Sequence, residues 1–213
     1  MTPDLETDKT TRSHGCADIL KRTTDLCCAT FGLLALSPLL LIIYVILKCH
    51  DDGPAFFHQE RIGRYGRPFC IHKFRTMRLD ADAHGPRLAE ADDARLTNVG
   101  RYLRKHHLDE LPQLWNVLVG EMSMVGPRPE RRFFIEQIMA AGGDYLPLLQ
   151  LRPGVTSEAT LTNGYTNTME KMLVRLEMDK LYLSTQSWHG DLKIMWRTVF
   201  LVFKGEKKRT FAE

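Results

Sequence analysis

Asp109 and Glu110 stand side by side in LDELPQLWNVLVGEM, immediately ahead of a predicted helix. A helix N-terminus is partially positive and favours ionised carboxylates. An isolated Asp-Glu pair in that place is most simply a cap and a first-turn acid. Here Arg101, Arg104 and Lys105 precede the pair, and the tetrapeptide GPRP follows the short helix. Pro127 and Pro129 fix their own φ and hold the residue before each of them extended, which pins the backbone around Arg128. A guanidinium presented in this way suits bidentate recognition of a phosphate; without a ligand, GPRP is simply a rigid turn. Two carboxylates among cations point to a diphosphate substrate with Mg²⁺, a metal usually held by carboxylates together with substrate phosphates. A carboxylate can also be the nucleophile and form an acyl phosphate. The chain has no Walker loop, G-x-G-x-x-G or kinase motif.

A chain of 213 residues, 44% hydrophobic and 26% charged, has room for one soluble domain of ordinary size plus an anchor. The net charge of +3 is too small to argue for nucleic acid, and no nucleic-acid partner is expected. The five cysteines (Cys16, Cys27, Cys28, Cys49 and Cys70) show no CxxC pair and no metal spacing, and read as reduced thiols in a cytoplasm-facing protein.

The anchor is the apolar run from Leu26 to Leu47, which carries no charge. As a straight helix it is roughly 33 Å long, about the thickness of a bilayer's hydrocarbon core. Ser37 and Pro38 fall at its middle. Pro38 has no N–H and its ring clashes with the carbonyl of Leu34, while the Ser37 hydroxyl can reach back to the carbonyl of Leu33. A kink there leaves two arms of roughly 15 Å, neither long enough to cross alone. Lys21 and Arg22 precede the run, and Lys48, Arg61, Arg64, Arg67, Lys73, Arg75 and Arg78 follow it. Basic residues favour the cytoplasmic side, and a helix that enters, bends and returns puts both basic flanks there. A spanning helix with a proline kink satisfies the same residues, and both readings stand at this point.

The remaining elements must hold the carboxylates. Residues 1–17 are polar and expected to be disordered. The segment PAFFHQERIGRYGRPFCIHKFRTM alternates around Gly63 to Gly66 and predicts a β-hairpin. RLAEADDARLTNVGRYLRKH reads as loop and short helix. Leu111, Leu114, Trp115 and Leu118 recur at helical spacing and predict a core stripe, with Pro112 in the first turn and Gly120 at the end. MVGPRPERRFFIEQIMA begins as a turn and becomes helix, LRPGVTSEATLTNGYTN is loop-rich, and TMEKMLVRLEMDKLYLSTQ and DLKIMWRTVFLVFKGEKKR predict helices. The last is apolar over much of its surface, with Trp196 and a basic end, and fits either a membrane interface or a core.

Taken in order, the broken apolar run, DDGPAFFHQERIGRYGRPFCIHKFRTM, LTNVGRYLRKHHLDELPQLWNVLVGEMSMVGPRP, LRPGVT and DLKIMWRTV resemble the small monotopic phosphoglycosyl transferases, the bacterial sugar transferases. The resemblance spans roughly residues 18–204. It implies an α+β, mostly helical fold: a re-entrant helix-break-helix anchor over 18–49, broken at Ser37 and Pro38, and a compact cytoplasmic catalytic domain over 50–213 with a small β-hairpin and interfacial helices. It implies transfer of sugar-1-phosphate from a UDP-sugar to a polyprenol phosphate such as undecaprenyl phosphate, with release of UMP, as the first membrane step of a surface glycan. It also implies the bacterial inner membrane as the location, with the catalytic domain on the cytoplasmic face. By the same resemblance Asp109 is the nucleophile, Glu110 helps it hold Mg²⁺, and Lys73, Arg104 and Arg128 bind phosphate. Arg75, Arg152 and Asp191 are weaker substrate candidates, Asp191 being placed to cap the last helix.

This chain departs from the family pattern where many relatives read RPGITGWAQVNGR and it has RPGVTSEATLTNGYT, which leaves the sugar open. No large membrane domain precedes residue 18, so the minimal form of the family is expected. Spare apolar surface on the last helix would serve phospholipid or a homodimer. Two other functions fit the same residues: an anchored hydrolase of nucleotide diphosphosugars, and a non-catalytic scaffold whose basic hairpin binds anionic lipid.

Overall fold

The computed structural model describes residues 15–50, 53–81, 83, 85, 87–88, 93–163 and 166–204. Most of the expected N-terminal tail and the basic end after Lys204 lie outside the described residues. The chain is mostly helical, with seven α-helices and two two-stranded sheets among the described residues.

Helix α1 (Cys16–His50) runs through Pro38 as one helix, where two helices separated by a break were expected. The cause is local. Pro38 has no N–H to give to the carbonyl of Leu34, and the Ser37 hydroxyl donates to that same carbonyl at 2.8 Å. The acceptor is therefore Leu34 and not Leu33. Residues 18–50 are long and apolar enough to cross a membrane. Asp25, Ala29, Ile43 and Leu47 are buried along one face, while Phe31, Leu34, Leu41, Ile42 and Val45 are exposed.

Both arms of α1 hold the rest of the chain. On the first arm, Lys21 Nζ bonds Asp191 at 2.5 Å and Arg22 donates to the carbonyls of Val117 and Leu118, while Asp25 accepts from the Met124 N–H at 2.9 Å. On the second arm, Ile43 and Leu47 join Ala55, Phe74 and Leu103 in one apolar cluster, and Lys48 donates to the carbonyl of Gly53.

Strands β1 (Phe56–Ile62) and β2 (Pro68–Phe74) form the expected antiparallel hairpin, with Phe56 opposite Phe74 and Ile62 opposite Pro68. Period-two alternation puts Phe69, Ile71 and Lys73 on the same face, so the sheet that buries two apolar side chains also carries Lys73 inward. Helix α2 (Asn98–Lys105) is capped by Thr97, whose hydroxyl oxygen accepts the Gly100 N–H at 2.9 Å.

Helix α3 (Gln113–Val119) ends at Gly120, whose φ of 94° is the left-handed conformation that releases a helix C-terminus. Its buried face is Gln113, Leu114, Asn116 and Val117, and Trp115 is 52% exposed. The stripe expected through Trp115 is thus turned. Asn116 turns it: its amide closes onto β2, accepting the His72 N–H at 3.1 Å and donating to the Cys70 carbonyl at 2.7 Å. Satisfying the open strand edge outweighs burying an indole that tolerates a partly exposed position.

Strand β3 (Ser123–Val125) pairs in parallel with β4 (Gly154–Thr156), bringing GPRP beside LRPG. A Cβ on Gly154 would lie 2.1 Å from the Gly126 nitrogen, so glycine is required there. The stretch expected to be loop-rich therefore holds β4 and α5 (Glu158–Asn163). Helix α4 (Arg132–Ala140), the 3-10 turn Leu146–Gln150 and α6 (Met169–Thr185) bury Phe134, Ile135, Ile138, Leu148, Leu149, Met172 and Leu176 together. Helix α7 (Trp188–Lys204) packs Ile194 against Val125, Leu151 and Tyr182 and leaves Trp196 and Phe200 exposed. One face of α7 is core and the other is free apolar surface.

Candidate active site

The two acids lie in a 3-10 turn, Leu108–Glu110, and not in the first turn of α3. His107 precedes them with φ of 52°, a left-handed conformation that a non-glycine residue adopts at a cost of about 1 kcal/mol or more. That reversal lets the chain leave α2 and drive the acids inward, leaving Asp109 6% and Glu110 8% exposed.

Glu110 is heavily bound. Its Oε1 accepts from Lys73 Nζ at 2.6 Å and from Arg128 Nη2 at 2.8 Å. Burial alone would raise its pKa, but Arg128 and Lys73 outweigh burial and hold it well below the usual carboxylate range. Asp109 differs: no hydrogen bond reaches its carboxylate among the described residues. Burial and the adjacent Glu110 charge raise its pKa, while Lys73, Arg104 and His107 pull it down. Arg104 Nη1 and His107 Nε2 are buried beside it without hydrogen-bond partners. An unpartnered buried donor is costly to leave unmade, so Arg104 is poised for an anion, as is His107 in the tautomer that carries its proton on Nε2.

These side chains line a cavity of about 740 Å³, together with Arg75, Arg61, Glu130 and Arg175. Arginines and lysines line part of the wall beside a comparable set of apolar side chains such as Phe56, Phe57, Phe74 and Phe134, and among the described residues its acids are Asp109, Glu110 and Glu130. Size and charge suit a nucleotide-sized polyanion. Arg152 and Asp191, both expected as substrate candidates, lie elsewhere. Arg152 donates to the Gly120 carbonyl at 3.1 Å and lines a separate small cleft. Asp191 is buried against Lys21 and Tyr182, and Ser187, not Asp191, accepts the N–H of Gly190 at the head of α7.

Behind GPRP is a support that sequence reasoning missed. Glu130 accepts from Arg175 of α6 and, at 3.5 Å, from Arg61 of β1, and Arg61 also donates to the Pro129 carbonyl at 3.2 Å. The Tyr145 hydroxyl donates to the Arg128 carbonyl at 3.5 Å. Burial lowers Arg61 to about 10 and raises Asp179, on the same face of α6 as Arg175, to about 7. The signal was available: Arg175 and Asp179 share the helical face of Met172 and Leu176, so charges fall on the core stripe.

The donor set fits Mg²⁺. Asp109 and Glu110 are adjacent hard oxygen donors, and one or two carboxylates are what Mg²⁺ takes when phosphates and water complete its octahedron. No group of three potential ligands exists among the described residues, so substrate oxygens would have to supply the rest.

The chain belongs to the bacterial sugar transferase family, which it matches over residues 16–205. It is 36% identical over 186 residues to a UDP-N-acetylgalactosamine-undecaprenyl-phosphate N-acetylgalactosaminephosphotransferase of Aeromonas hydrophila, covering 87% of this chain and 44% of that protein. To a UDP-glucose:undecaprenyl-phosphate glucose-1-phosphate transferase of Klebsiella pneumoniae it is 39% identical, covering 89% of this chain and 41% of the relative. To a transferase of the same description from Caulobacter vibrioides it is 43% identical, covering 85% of this chain and 69% of the relative. The chain thus spans less than half the length of the first two.

Proposed function

We propose that this protein transfers sugar-1-phosphate from a UDP-sugar to undecaprenyl phosphate at the bacterial inner membrane, releasing UMP. The observation that carries this reading is the Asp109 carboxylate, buried and without a hydrogen-bond partner among the described residues, beside cations at the wall of a polyanion-sized cavity. The activities named for the relatives agree with it.

In the first step an oxygen of Asp109 attacks the phosphorus bearing the sugar. The bond from that phosphorus to the bridging oxygen breaks, and UMP leaves with the electron pair. In the second step an oxygen of the lipid phosphate attacks the same phosphorus and the bond to Asp109 breaks, restoring the carboxylate. Two displacements let a soluble donor and a lipid acceptor use one site in turn. Arg104 faces the entering phosphates with an unmet donor, and His107 Nε2 lies beside it. Glu110 holds Lys73 and Arg128 in place, so these cations act through a fixed array and are not free to wrap the substrate. Bound at Asp109 and Glu110, Mg²⁺ would supply further charge neutralisation of the diphosphate.

The length and apolar surface of α1 support this location. A helix of 35 residues is about 52 Å long if straight. Both its arms are held by one polar domain, which supports a re-entrant anchor over a spanning one, since polar loops are not left in hydrocarbon. The cavity would then open at the lipid surface on the cytoplasmic side.

The test is UMP release by the detergent-solubilised protein with Mg²⁺, a panel of UDP-sugars and undecaprenyl phosphate. Release that requires both the lipid and Asp109 supports the transferase. Release without lipid overturns it in favour of hydrolysis.

A further inference from the structure

The hairpin carries a second cluster that the transfer reaction does not use. His58 and His72 are directly opposed across β1 and β2, with rings edge to face at 4.9 Å between centroids. Their Nδ1 atoms are 2.8 Å apart. A hydrogen bond at that distance needs one nitrogen to present its lone pair to the other. The two Nδ1 atoms therefore face each other across one shared proton, which a cation could replace, and His58 is exposed to solvent at the wall of the cavity. The next pair on the same face is Glu60 opposite Cys70, both exposed.

We propose that His58 and His72 form a bis-imidazole site for a borderline-soft divalent cation of the Zn²⁺ class. The geometry is close to what such an ion needs. Two imidazole nitrogens at 2.0–2.1 Å from a tetrahedral Zn²⁺ lie about 3.3 Å apart, so the rings must open by only about half an ångström. Paired strands already hold the two Cβ atoms at a fixed separation. The His72 backbone is tied to Asn116 of α3, which fixes that side of the pair. Two protein ligands leave positions for water or for an added oxygen or thiolate. Chemistry separates this site from the acids below: imidazole favours Zn²⁺, Cu²⁺ or Ni²⁺, whereas the carboxylates of Asp109 and Glu110 favour Mg²⁺. The hairpin would thus bring a second, softer metal to the rim of the cavity, independently of whether the transferase reading holds.

The experiment is calorimetric titration of the full solubilised chain with Zn²⁺ in the presence of millimolar Mg²⁺, which occupies hard-oxygen sites. The expected result is a stoichiometric binding event whose affinity falls at least tenfold in His58→Gln and in His72→Gln. An isotherm that neither substitution changes overturns the site, as does the absence of stoichiometric binding. Imidazole nitrogen resonances of the unmutated protein give the same answer without any variant: both rings shift together with added Zn²⁺ if the pair ligates, and a pair that stays still overturns the proposal.

Discussion

Two buried lysine–carboxylate pairs can be set against each other. Lys73 bonds Glu110 at 2.6 Å and Lys21 bonds Asp191 at 2.5 Å. Both join segments far apart in sequence, and their lysine side chains are 14% and 19% exposed. The pair at Asp191 is closed: Tyr182 also donates to the carboxylate, and Lys21 donates to the Val125 carbonyl. The pair at Glu110 borders groups left open, namely Asp109, Arg104 Nη1 and His107 Nε2, and a cavity meets them. A buried ion pair does not by itself mark function, since the same contact clamps α1 to α7 in one place and shapes a site in the other.

That contrast can be broken most sharply at the open cluster. Asp109→Asn should lower turnover by at least about a thousandfold, as removal of a nucleophile does, with little change in Tm; parallel assay and melting curves check this. Glu110→Gln should lower both, because the largely buried Lys73 would face a neutral partner and the part-buried Arg128 would lose its carboxylate, a loss on the order of 3 kcal/mol. The closed pair predicts the reverse. Lys21→Met should destabilise by a similar amount while the turnover of the folded fraction is unchanged, measured as activity per folded molecule. Should Lys21→Met abolish turnover without unfolding, the two pairs would not differ as described.

Smaller effects sharpen the picture. Asp179 has a folded pKa raised to about 7, so the folded state binds the proton more tightly than the unfolded chain does. Its stabilising proton is lost as pH rises from about 4 through about 7. The Tm of Asp179→Asn relative to the unmutated protein should therefore climb across that window, and a difference independent of pH would show that Asp179 is not protonated in the fold. Smallest of all, Ser37→Ala should cost about 1 kcal/mol by leaving the Leu34 carbonyl without a donor, readable as a lowered Tm in detergent.

Much of the candidate site was legible as a cluster because it is written in short, stiff pieces. The acidic dyad, the prolines around Arg128 and the alternation that carries Lys73 inward are all local, and each constrains the backbone within a few residues. The misreadings came from non-local partners. Asn116 turned α3 because a strand edge in the hairpin needed an amide. Gly154 belongs to a strand because Ser123, far upstream, lies beside it. Arg152 and Asp191 were charged residues in suggestive places whose partners, the Gly120 carbonyl and Lys21, no local pattern names.

By itself the sequence determined the chemistry available: which carboxylates, which cations, an apolar run of membrane length, and a hairpin to carry Lys73. Only the tertiary structure decided how those charges are used. It committed Lys73 and Arg128 to Glu110, left Asp109 without a hydrogen bond among the described residues, and closed Lys21 onto Asp191. The physical reason is that charge identity is a property of single residues, whereas desolvation and pairing depend on every group folded against them.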